Sequence, residues 1–181
     1  RLVFLLLAGI CAASTGVAAD AAQMPPQMRY VAPEARGDAS GSAPEHAADF
    51  RNMTFWGGIN ALLEAGSVQV VFLNGRYVVS ADKDKNMPSL TLRNIGHDAH
   101  LLALHGETPG EVVFTRHADD PDYSRENNKG PGFLAVQAGR NIVVRNLTFT
   151  APNKPIGYAT NFRGRNIVIE NCHWHDLDGV Y

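Results

Sequence analysis

The segment Gly139-Arg140-Asn141-Ile142-Val143-Val144-Arg145-Asn146-Leu147-Thr148-Phe149 aligns without a gap to Gly164-Arg165-Asn166-Ile167-Val168-Ile169-Glu170-Asn171-Cys172-His173-Trp174, at an offset of 25 residues. An internal repeat of this length constrains the fold strongly, because one unit cannot bury its apolar face alone and must lie against the next. A third copy is read at Ser89-Leu90-Thr91-Leu92-Arg93-Asn94-Ile95, with Asn94 in the slot of Asn146 and Asn171. A weaker fourth runs from Glu111 to Arg116, with Arg116 in that slot. The slots are then 22, 30 and 25 residues apart, so the loops vary while the strand core persists.

Each unit alternates β-branched and polar residues with period two between Gly or Asn turns and leaves no room for a helix, which predicts a solenoid of stacked strands. Ile142, Val144, Leu147 and Phe149 are expected to face inward, with Ile167, Ile169, Cys172 and Trp174 about 4.8 Å further along the axis. An Asn at the break between two strands tolerates a left-handed backbone, and its amide can bond the equivalent group of the neighbouring unit. Asn94, Asn146 and Asn171 therefore read as a structural ladder rather than as catalytic groups. Leucine-rich repeats share the period but need a Leu-rich consensus with helical returns, which this chain lacks.

Upstream, Phe50 to Ala65 places Trp56, Ile59, Leu62 and Leu63 at helical spacing, with Gly66 as the C-cap. Such a helix would cover the open end of the apolar stack. Val68 to Leu73 reads as the first strand, Asn74-Gly75 as a tight turn and Arg76 to Val79 as the next strand. Trp174 shares an inward slot with Phe149, and Tyr158 shares one with Phe133, so both are expected to pack.

Tyr30-Val31-Ala32-Pro33, Gly37-Asp38, Gly41-Ser42, the capping helix, Val70 to Tyr77 and the Asn-Ile-Val-Ile repeats together resemble the start of a secreted right-handed parallel β-helix protein of the pectate-lyase-like superfamily. The likeness spans Tyr30 to Tyr181. It implies an all-β fold, a single-stranded right-handed parallel β-helix with an N-terminal amphipathic capping helix. It also implies a polysaccharide or surface glycan as partner. A polysaccharide lyase or glycoside hydrolase is the leading activity, and a noncatalytic surface or adhesion protein is the alternative. The paired Asn-Thr-Asp and Gly-His-Gly segments of better-known lyases and polygalacturonases do not occur, and Asp178-Gly179-Val180 is only a faint echo of them. The chain stops at Tyr181 inside a repeat, so further repeats are expected beyond it, in a protein that is monomeric at full length.

Leu2 to Val17 is mostly apolar and closes on Val17-Ala18-Ala19 before Asp20, the pattern of a cleaved signal peptide over residues 1–19, with 20–29 as linker and 30–181 as the folded domain. The apolar run from Leu2 to Ile10 is too short for a membrane anchor. Cys11 follows Ile10 rather than the small residue that lipidation requires, and Arg1 is read as a clipped start. Export leaves Cys172 as the single mature cysteine, so no intrachain disulfide can form. With 16 Lys plus Arg against 18 Asp plus Glu, a strongly basic nucleic-acid binder is excluded and no nucleic-acid partner is expected.

The densest candidate for chemistry is His173, His175, Asp176 and Asp178, followed by Tyr181. The two imidazoles sit at i and i+2 on one strand face, where one could act as base with a carboxylate orienting it, or both could hold a metal. The alternative is a solvated strand ending in a polar turn. The insertion from His117 to Gly132 carries Asp119, Asp120, Asp122 and Glu126, oxygen donors suited to Ca²⁺, although no EF-hand spacing is present. Tyr123 on the same loop offers a stacking face for a sugar, and Lys154, Arg163 and Tyr181 are placed to meet a substrate. Arg145 is expected to pair with Glu170 across strands.

Overall fold

The structure, a computed structural model, describes residues 25–124, 126 and 130–177. The segment read as a signal peptide, the first half of the linker, and the candidates Asp178 and Tyr181 lie outside the described residues.

Among the described residues eleven strands, all paired in parallel, divide between two sheets. The first sheet holds β1 (Gln27–Ala32), β2 (Ala48–Asp49), β3 (Val68–Phe72), β5 (Leu90–Arg93), β6 (Leu102–Gly106), β8 (Leu134–Arg145) and β10 (Thr160–Glu170). Its order is β10-β8-β6-β3-β1-β2, with β5 also on β8. The second holds β4 (Gly75–Val79), β7 (Val112–Arg116), β9 (Thr148–Ala151) and β11 (His173–Leu177), in the order β11-β9-β7-β4. β1 begins inside the segment read as linker.

The α-helix among the described residues, α1 (Met53–Ala65), starts after Asn52, whose side chain accepts from the N–H groups of Thr54 and Phe55 and so fixes the first turn. The helix therefore begins later than the apolar spacing suggested. Phe50 lies before this cap, fully buried, and its carbonyl accepts from the Trp56 indole at 2.7 Å. Trp56, Ile59 and Leu63 belong to the same core as both sheets. At the corner between the sheets, Gly75 has a φ of 150°, and a Cβ there would come within 2.9 Å of the Pro33 ring.

The expected fold class is overturned. The chain is not an all-β, single-stranded right-handed parallel β-helix but a mixed α/β-like arrangement of two parallel sheets with one helix packed into their shared core. The units do not step evenly. Val68 pairs with Leu102, Leu102 with Ile142 and Ile142 with Ile167, steps of 34, 40 and 25 residues. β8 is also divided between two neighbours, because β5 lies along Leu134–Gln137 and β6 along Ile142–Arg145.

The 25-residue repeat itself is realised as backbone pairing: Ile167 opposes Ile142, Glu170 opposes Arg145 and His173 opposes Thr148. At the breaks, Asn166 donates to Asn141 and Asn171 to Asn146, both at 2.8 Å, and all four residues have left-handed φ between 46° and 60°. The other two copies fall elsewhere. Asn94 follows β5, and its N–H donates to the carbonyl of Gln137 rather than reaching the Asn146 slot. Arg116 ends β7, a strand of the second sheet, where it opposes Val79 of β4. A register shift between Arg163 and Gly164 leaves Ala138, at φ 55°, without an opposite number. Ala159, not Tyr158, then bonds to Phe133, and Tyr158 is exposed.

Candidate functional site

A concave feature runs along the free edge of β5. Its other edge pairs with β8, and among the described residues no strand covers this one. Two adjoining hollows, of about 640 and 410 Å³, share Pro88, Ser89 and Thr91. One end is lined by Ser80, Lys83 and Asn86, the other by Arg51 and Asn60 from beside and within α1, and by Arg93. Hydroxyl, amide and cationic groups thus line one open groove beside backbone donors and acceptors that no strand uses. Beyond it, Arg93, Gln137 and Arg163 lie in one register row, with Arg93 donating to the Gln137 amide oxygen. Arg163 is exposed in that row.

A second polar row crosses the first sheet where β6, β8 and β10 align His105, Arg145 and Glu170. The Gln69 amide donates to His105 Nδ1 at 2.8 Å, which leaves the ring proton of the neutral imidazole on Nε2. Burial lowers the His105 pKa, and the nearby Arg145 cation lowers it further. Arg145 opposes Glu170 in register, yet no ion pair joins them among the described residues, and its buried Nε lacks a hydrogen-bond partner.

His173 and His175 lie two residues apart on β11, in register with Thr148 and Thr150, and both are exposed. The Asp176 carboxylate meets His175 Nδ1 at 2.9 Å, from a residue at φ 49° beside a register shift. Asp178 is not among the described residues, so the cluster is described as two imidazoles and one carboxylate.

The acids of the insertion separate rather than converge. Asp120 is buried and ion-paired with Arg116, and it accepts from the Ser80 hydroxyl and the Ala81 N–H. Burial alone would raise its pKa, but Ser80, Ala81 and Arg116 together hold it below the ordinary carboxylate range. Arg116 also donates to the Pro155 carbonyl, and Lys154 donates to the Asp120 carbonyl and to Asp122 at 2.8 Å. Asp119 meets Lys85 at 3.2 Å. Lys85, Arg116 and Lys154 thus supply the positive charge that a bound calcium ion would bring. Among the described residues no group of three or more His, Cys, Asp or Glu is arranged to hold a metal. Glu126 and Tyr123 are exposed, and the Tyr123 N–H donates to Asn153.

His105, Gln69 and the β5 groove were not singled out from the sequence. The signal for His105 was present in Leu102-Ala103-Leu104-His105, an alternating strand that matches Ile142-Val143-Val144-Arg145 residue for residue. Among the described residues no helix is long and apolar enough to cross a membrane. No protein-family model matches the chain, and no curated protein or solved structure is significantly similar to it.

Proposed function

We propose that this chain belongs to an exported protein that engages an extended polysaccharide or surface glycan along the β5 groove, most directly as a polysaccharide lyase or glycoside hydrolase. The observation that carries the reading is the groove itself, open at its surface and lined by Ser80, Asn86, Ser89, Thr91, Asn60 and Arg93. Sugar hydroxyls exchange hydrogen bonds readily with such hydroxyl and amide groups, and an open groove admits a chain longer than one residue. His173, His175 and Asp176 supply exposed imidazoles, one of them oriented by a carboxylate, as acid–base groups. Tyr123 and Arg163 are exposed and free of the groove lining, available to a longer glycan, whereas Lys154 ties down the acidic loop. No step of this reading passes through a calcium ion.

The test incubates the protein with a panel of acidic and neutral polysaccharides and follows both the ultraviolet absorbance of newly formed unsaturated uronates and the release of reducing ends. Absorbance and reducing ends together mark a lyase, because elimination breaks the chain while creating a conjugated double bond. Reducing ends alone mark a hydrolase. Silence in both, with retention on an immobilised glycan, marks a noncatalytic binder. Silence without retention on any glycan overturns the reading.

A further inference from the structure

Arg145 occupies an unusual position for a cation. It lines a small hollow of about 220 Å³ on the first sheet, with Gln69 and Glu170 as polar neighbours and Leu101, Ala103 and Val143 as apolar ones. Its Nε is buried without a hydrogen-bond partner, and no carboxylate is paired with it among the described residues. Buried polar groups are nearly always satisfied, and a guanidinium that lines a hollow without an ion pair among the described residues is a candidate to hold an anion there. A planar guanidinium matches a two-oxygen anion in particular, because parallel N–H groups meet both oxygens at once.

We propose that Arg145 holds an oxyanion, a carboxylate or sulfate group, in this hollow and that His105 takes up a proton as the anion binds. The coupling follows from placement. His105 and Arg145 oppose each other in register on β6 and β8, and the groups facing the ring are Arg145 on β8 and the uncharged Gln69 on β3, with Glu170 one strand further away on β10. With no anion present, the Arg145 charge opposes protonation of the ring. An anion on Arg145 cancels that opposition, so the imidazole gains affinity for a proton. By reciprocity the anion binds more tightly as pH falls through the His105 titration. These residues differ from those of the β5 groove, so either site can fail without the other.

The experiment titrates the His105 ring signals of the full chain by NMR in chloride, in acetate and in sulfate at matched ionic strength. The expected result is a saturable rise of the His105 midpoint in acetate or sulfate over chloride, lost in Arg145→Gln and partly kept in Arg145→Lys. Each unit of rise corresponds to about a tenfold gain in anion affinity between high and low pH. A response to acetate marks a carboxylate ligand, and a response to sulfate alone marks a sulfate ester. No rise with either anion, or the same rise in Arg145→Gln, overturns the proposal. A rise that appears only in Glu170→Gln also overturns it, because Arg145 would then already be satisfied by Glu170. Thermal unfolding of the Arg145 variants separates loss of binding from loss of fold.

Discussion

The two copies of the 25-residue repeat share a backbone course and differ in burial. In the first copy Ile142, Val144, Leu147 and Phe149 are all fully buried, while in the second Ile169 is 42% and Trp174 41% exposed. The aromatic column makes the contrast plain. Tyr77, Phe114 and Phe149 are buried and stacked at 4.9 and 5.3 Å, and Trp174 continues the stack at 5.5 Å, 41% exposed among the described residues. The same pattern of residues gives the same strands, and the stabilisation drawn from them depends on whether a neighbour lies on one side or on both.

The largest expected effect tests that contrast directly. Phe114→Ala removes a ring packed on both faces and is expected to cost about 4 kcal/mol, whereas Trp174→Ala, packed on one face, is expected to cost less than about 2 kcal/mol. Denaturant unfolding at constant m-value measures both, and equal losses would erase the distinction between the two copies.

Next comes the buried pair that anchors the insertion. Arg116→Met leaves Asp120 charged and enclosed, with an expected cost of about 3 kcal/mol. Because Asp120 titrates below its unfolded value, its contribution is present above the unfolded carboxylate pKa and is lost as pH falls through the lower, folded one. Unfolding midpoints measured from near neutrality down to about pH 3 should therefore drop more steeply in the parent than in Asp120→Asn. Parallel curves would contradict that role.

The smallest effects concern the Asn breaks. Asn146 receives the Asn171 amide at 2.8 Å and its own amide lies 3.5 Å from the Gly106 carbonyl, whereas among the described residues Asn171 has its ladder contact with Asn146 alone. Asn146→Ala should cost about 1 to 2 kcal/mol and Asn171→Ala less, with Gly restoring part of each loss because it accepts the left-handed φ. Thermal unfolding of the four variants would break the comparison if Asn171 proved the costlier position.

What was legible in the sequence was local. The strands of the two strong copies, the Asn breaks and the apolar face of α1 follow from spacing within a few residues, and the structure places them so. Pairing over longer distance was not legible. Asn94 carries the same left-handed φ as Asn146, so it served as a false landmark for aligning β5, although its N–H bonds to Gln137. The extra residue Ala138 shifted the register by one and moved Tyr158 from an expected inward slot to the surface. In the acidic loop, the partner that occupies Asp120 includes Ser80, 40 residues earlier, which no local pattern announces. The β5 groove was hidden for the same reason, because it exists only where α1 and the loop after β4 flank an edge that β8 leaves free.

Amide hydrogen exchange of the protein with and without oligosaccharides shows whether a sugar chain lies along the open edge of β5. A bound oligosaccharide is expected to slow exchange at residues 86–95 and in the neighbouring part of α1, and Thr91→Trp, which fills the shared part of the groove, is expected to abolish both the protection and the binding. Binding that protects some other surface, or that persists undiminished in a folded Thr91→Trp variant, would contradict it.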